Sequence, residues 1–152
     1  MINPFDDKYF MKQAYMEAEK AAEMGEVPVG AVIVANNTVI ARSHNLTEKL
    51  NDVTAHAEMQ AITAAAEFLG GKYLKGCTLY VTIEPCVMCG GALYWSQLDK
   101  IVIGARDEKR GASTKGDLYH PKTTVEYGVM EEACQEIIKE FFRQKRKYFN
   151  NQ

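Results

Sequence analysis

The 152 residues, 47% hydrophobic and 25% charged, are enough for one globular domain with its own core, so folding does not depend on disulfides. A formal net charge of −2 excludes general charge-driven attraction to nucleic acid or to a membrane surface. No apolar run approaches the roughly 18 to 20 residues of a membrane span, and the stretch from Met1 to Asp7 lacks a charged and then apolar leader, so a cytoplasmic protein is expected.

In chain order, Asp6 or Asp7 can cap a helix that carries Phe10, Ala14, Ala18 and Ala21 on one stripe, and Gly25 can end it. Residues 29–35 and 38–41 read as a hairpin, because the intervening Asn36 and Asn37 tolerate the positive φ of a tight turn. Thr54 is read as opening a helix over 54–69 that Gly70 and Gly71 stop. Residues 78–83 read as a strand, Pro85 suits the start of a helix, and 100–104 reads as a short buried strand. A weaker strand pattern follows at 123–127. Residues 131–148 then form a long helix with Ile137, Ile138, Phe141 and Phe142 facing inward. Strand-helix-strand units in this order predict a three-layer α/β/α sandwich around a mixed five-stranded sheet, with the whole chain, 1–152, forming a single domain.

The chemistry is concentrated at two helix starts. The first is Thr54-Ala55-His56-Ala57-Glu58. Residues two apart in a regular helix point about 200° from each other, so His56 and Glu58 converge only on a site at or beyond the N-terminus. The second is Glu84-Pro85-Cys86-Val87-Met88-Cys89, which sets Cys86 and Cys89 on one face of a first turn. Free amides and the helix dipole there favour thiolates, the form that binds metal. In a reducing compartment this close pair reads as a metal or redox group, whereas Cys77 and Cys134 read as small core residues.

One histidine and two cysteines suit tetrahedral Zn²⁺, one ion per chain, and leave a fourth position open. A closed structural site completed by Cys77, His44 or His120 is the competing arrangement, but it leaves Glu58 unexplained. With the fourth position open, zinc lowers the pKa of water to about 7, and Glu58 is placed to carry its proton to a leaving nitrogen. That is hydrolytic deamination, and H-x-E…P-C-x-x-C is the known signature of zinc nucleobase deaminases, matched here at His56, Glu58, Pro85, Cys86 and Cys89.

The match extends beyond the signature. Val27-Pro28-Val29-Gly30-Ala31-Val32, Asn45, the two motifs above, Gly104-Ala105-Arg106-Asp107 and Phe141-Phe142-Arg143 together resemble the bacterial tRNA-specific adenosine deaminases, from about residue 8 to 148. The resemblance implies a cytidine deaminase-like fold, a homodimer, and conversion of the wobble adenosine of a tRNA anticodon stem-loop to inosine with release of ammonia. It implies zinc on His56, Cys86 and Cys89, and a proton shuttle at Glu58. Asn45 would bond the base, with Val29 and the Ala57 backbone lining its pocket. Asp107 and the terminal helix would meet RNA. Arg143, Lys145, Arg146 and Lys147, with Lys139, stand against Glu140 alone over 139–147, so a basic end is set on an acidic body. Two places differ from the pattern frequent in that family, Ser96-Gln97 for Ser-Arg and Tyr119-His120-Pro121 for His-His-Pro. Tyr94-Trp95 also resembles free-base guanine deaminases. A deaminase of free guanine or cytosine is therefore the alternative, and a non-catalytic zinc-stabilised RNA-binding module the remote one.

Overall fold

The computed structural model describes residues 3–151; Met1 and Ile2, at the start of the segment read above for a leader, and Gln152 lie outside it. Helix α1 (Asp7–Glu23) begins where Asp6 accepts the Tyr9 amide at 2.8 Å, as its capping chemistry predicts. Its predicted stripe is buried in full, with Met11 added. Strands β1 (Gly30–Ala35) and β2 (Thr38–His44) form the expected hairpin, with Asn36 and Asn37 at φ 50° and 60°. Next come α2 (Ala57–Leu69), β3 (Cys77–Ile83), α3 (Val87–Ser96), β4 (Lys100–Ala105), a single 3₁₀ turn (Ala112–Lys115), β5 (Thr124–Tyr127) and α4 (Glu131–Asn150).

The five strands lie in the order β2-β1-β3-β4-β5, with β1 antiparallel to β2 and β3, and β3, β4 and β5 parallel. The sheet is mixed, as predicted. Strand periodicity divides the core between its two faces. Ile33, Leu79, Val81, Ile101 and Ile103 pack with Ala57, Ala61 and Leu93, which places α2 and α3 on one side. Their alternates Val32, Val34, Tyr80 and Val102 pack with Phe10, Met11, Ala14 and Cys134, which places α1 and α4 on the other. Gly30 lets α1 lie directly on β1, because a Cβ there would stand 2.0 Å from the Ala14 carbonyl oxygen.

Two expectations are corrected. Helix α2 starts at Ala57, not at Thr54, because Asp52 takes both the Thr54 amide (2.8 Å) and its hydroxyl (2.7 Å) and so holds Thr54 in a preceding turn. Phe142 faces outward at 39% exposure. The buried stripe of α4 runs through Cys134 toward Phe141, and Phe142 stands about 80° around the helix from Cys134. Every described residue from Phe142 onward is exposed, so the basic end of α4 projects from the body. No helix among the described residues is long and apolar enough to cross a membrane.

Candidate active site

The delayed start of α2 gives His56 its direction. As the capping residue it has extended backbone, φ −74° and ψ 155°, so its ring is thrown beyond the helix instead of along its side. Cys86 caps α3 in the same way, and Cys89 follows in the first turn, fully buried. These two starts, 30 residues apart in sequence, meet at one point. His56 Nδ1 lies 3.6 Å from Cys86 Sγ and 3.5 Å from Cys89 Sγ.

Those separations fit zinc. At tetrahedral angles, a nitrogen about 2.05 Å and a sulfur about 2.3 Å from the ion stand about 3.6 Å apart. All three donor atoms lie within 4.8 Å of one another, and Glu58 is not among them. The other candidate ligands are engaged elsewhere. Cys77 is buried at the opposite end of β3, His44 Nδ1 faces the Asn45 carbonyl at 3.1 Å, and His120 Nδ1 accepts the Lys122 amide at 3.1 Å.

The electrostatics match a cation site. A hydrogen bond from Cys89, reinforced by His56, holds the Cys86 thiol down to about 3, while Cys89 is pushed up, first by that bond to Cys86 and then by burial. The pair thus shares a proton that a metal would displace. Bonding to Cys86 raises His56 against the opposing effect of burial. Glu58, in the first turn of α2 and 3% exposed, is pushed up to about 7 by burial. A carboxyl that titrates near neutrality can both accept and return a proton.

Supporting residues that sequence reasoning missed fix these groups. Ser43 on β2 donates to the Ala57 carbonyl at 2.6 Å, and Gln60 Nε2 reaches the carbonyls of His44, Ala55 and His56 at 2.8, 3.2 and 3.3 Å. Buried Glu84 accepts from the Asp107 amide and from the Ser113 amide, so it binds the 107–113 segment to the Cys86 turn. Gly111 makes room for it, since a Cβ there would meet the Glu84 carboxyl at 2.4 Å. An acid inside a metal motif without a ligand role was the available signal for Glu84. Ser43 and Gln60 carry none, because their partners are backbone groups set by the fold.

The remaining predicted residues divide by layer. Asn45 is buried just after β2, where its Oδ1 accepts the Thr47 amide at 3.3 Å and its own amide donates to the Val29 carbonyl at 3.1 Å. Val29 is therefore its neighbour, while the Ala57 carbonyl is held by Ser43, two residues before Asn45. Asp107 Oδ1 accepts the amides of Lys109 and Arg110, so this carboxylate organises its own loop. Arg143, Lys145, Arg146 and Lys147 are all exposed on α4, across the sheet from α2 and α3. Arg143 pairs with Glu140 and Glu136, and Lys145 lies over the Phe141 ring. Tyr119 is buried in the core with its hydroxyl unpartnered, and Gln97 ends α3 at φ 57°.

Residues 5–146 match the model of the MafB19-like deaminase family. The chain is 46% identical over 147 residues to the tRNA-specific adenosine deaminase of Bacillus subtilis, covering 93% of this chain and 91% of that protein. This chain belongs to that deaminase family. The tRNA-specific adenosine deaminase of Aquifex aeolicus is 47% identical to it over 145 residues, covering 91% of this chain and 95% of that protein. Among solved structures, one from work on A-to-I editing by tRNA:A34 deaminases at the wobble position of transfer RNA superposes on this deaminase with a TM-score of 0.79. It shares 43% identity and covers 85% of this chain and 98% of its own. The guanine deaminase of Bacillus subtilis gives 0.65 at 34% identity, covering 75% of this chain and 71% of its own. The deaminase's fold is thus the cytidine deaminase-like sandwich expected from the sequence.

Proposed function

We propose that the protein is a zinc-dependent hydrolase, one deaminase domain over 1–152, that converts the wobble adenosine of a tRNA anticodon to inosine and releases ammonia. The observation that carries this reading is the buried Glu58 carboxyl beside, but outside, the donor cluster of His56, Cys86 and Cys89. Those three residues would hold zinc, which supplies the Lewis acidity that brings water close to deprotonation at neutral pH. Glu58 accepts a proton from water and delivers it to the ring nitrogen N1 as water's oxygen becomes bonded to the purine carbon. Glu58 then takes the remaining proton from that oxygen and passes it to the exocyclic nitrogen as the carbon–nitrogen bond breaks, so ammonia leaves and a carbonyl beside a protonated N1 remains. Asn45, whose Oδ1 already accepts the Thr47 amide, offers its Nδ2 to the base, with Val29 and the Ala57 amide beside it.

The relatives named for tRNA support an RNA substrate over a free base. A single-stranded anticodon loop yields its base at little unstacking cost, while cations outside the pocket neutralise flanking phosphates. We assign that outer contact to Arg143, Lys145, Arg146 and Lys147, with Asp107 ordering the loop nearer the site. The cytoplasm suits this substrate and the four free cysteines. The protein acts as a homodimer through α3. Likeness to a guanine deaminase keeps a free-base deaminase as the second reading. Ammonia release is to be assayed on an anticodon stem-loop beside free guanine, cytosine and adenosine. Turnover of the stem-loop is expected, and turnover of guanine alone overturns the reading.

A further inference from the structure

Glu26 is a carboxylate buried to 1% exposure, and no Lys, Arg or His among the described residues pairs with it. Its partners are two successive amides. Oε1 accepts from Glu48 N at 2.9 Å and Oε2 from Lys49 N at 2.8 Å. Glu26 itself is fixed by the end of α1, where its own amide donates to the Ala21 carbonyl at 2.9 Å.

The amides it holds belong to the segment that joins Asn45 to His56. That segment is closed on itself, with Leu46 N on the Ala55 carbonyl, Leu50 N on that of Leu46 and Asp52 N on that of Thr47. Its own backbone bonds therefore hold it as one closed loop. Its residues 48–54 are exposed, and it walls an open cleft of about 500 Å³ whose lining includes Thr47, Asn51 and His56. A cleft of that size suits a nucleotide-sized group.

We propose that Glu26 is a positioning residue that holds the 46–53 segment, and with it Asn45, in the orientation that receives the RNA substrate. The inference rests on the deaminase reading above. Two parallel N–H groups demand two acceptors, which a carboxylate provides and an amide does not, and bonds to a charged acceptor are about twice as strong as neutral ones. A buried carboxylate with no counter-charge is costly wherever it has no such task. Glu26 touches none of the donor cluster, so it acts on binding and leaves the proton transfer to Glu58.

The test compares zinc-loaded Glu26→Gln and Glu26→Ala with the wild type on an anticodon stem-loop carrying adenosine at the wobble position. Glu26→Ala is expected to raise KM about tenfold or more, from the loss of two charge-assisted bonds, with kcat within about threefold. Glu26→Gln, nearly the same shape, falls between and keeps the test open where Glu26→Ala does not fold. Hydrogen-exchange protection of the Glu48 and Lys49 amides falls in the same order, with zinc content unchanged. Full protection of both amides in the variants, or loss of kcat at constant KM, overturns the proposal. A wild-type protein that leaves the stem-loop unaltered overturns the functional reading, while amide protection still decides the anchor.

Discussion

Ser43 and Ala57 join the hairpin to the helix that carries Glu58: the Ser43 hydroxyl donates to the Ala57 carbonyl at 2.6 Å, with both residues buried. Because Glu58 follows Ala57 directly, this bond fixes the first turn of α2 against β2. Ser43→Ala removes a buried hydrogen bond that contributes about 1 kcal/mol, so a stability loss of that order is expected in chemical denaturation. A fall in kcat larger than that in zinc content is also expected, since the turn that aims Glu58 is loosened while both cysteines stay in place.

Replacement of Glu58 itself separates its two conceivable roles. As a proton carrier outside the donor cluster, Glu58→Ala is expected to lower kcat by at least about 10² to 10⁴ while zinc remains bound. Loss of metal together with activity would make it a structural partner of the ligands. The wild-type pH profile gives a second reading of the same group. Burial raises this carboxyl to about 7, and a neighbouring cation favours its charged form. Activity requires the carboxylate, so kcat/KM falls as pH decreases through its pKa, and with zinc bound that acidic limb is expected below 7.

The metal is testable without turnover. Three donors spaced for one tetrahedral ion predict close to one zinc per chain by elemental analysis, with His56, Cys86 and Cys89 bound. A fourth protein ligand in a metal-bound crystal structure would remove the open position that catalysis needs.

What was legible in the sequence was local. The strands at 29–35, 78–83 and 100–104 were marked by their apolar runs and flanking turn residues, and the spacing of His56 with Glu58 and of Cys86 with Cys89 marked two helix starts suited to metal. That the two starts meet rested on chemistry and resemblance, because no local pattern relates residues 30 positions apart. The true start of α2 was hidden by one side chain, since Asp52 claims Thr54 as effectively as a cap would. The 3₁₀ turn at Ala112–Lys115 has no local signal for a related reason: its first two residues are held from far upstream, Ala112 by the Pro85 carbonyl and Ser113 by Glu84. Phe142 was misplaced because periodicity gives the direction of a helix stripe and not how far along it the body extends.

Helix α3 presents more apolar surface than its own sheet needs. Trp95 is 72% exposed and Val87 52%, and Trp95 borders a shallow groove shared with Ile62, Tyr73 and Ala92. Large exposed aromatics are favoured in interfaces, so sedimentation at micromolar concentration is expected to show a dimer. Trp95→Glu, which places a charge in that surface, is expected to shift it to monomer with the fold intact by circular dichroism. A wild-type monomer under the same conditions would count against the dimer.

The terminal helix separates an RNA substrate from a free base. Arg143 is partly neutralised by Glu136 and Glu140, which leaves Lys145 and Arg146 as better candidates for phosphate contact. Each such contact releases counterions, so replacing both residues with alanine is expected to weaken stem-loop binding and flatten its salt dependence by up to about two counterions. The helices α2 and α3, whose starts carry His56, Cys86 and Cys89, lie on the opposite face of the sheet from α4, so metal content should not change. Any free base that the protein accepts should be turned over at the wild-type rate, having no phosphates to lose. If the double variant binds and processes the stem-loop like wild type at several salt concentrations, the basic end of α4 is a solvated face and the free-base reading gains ground.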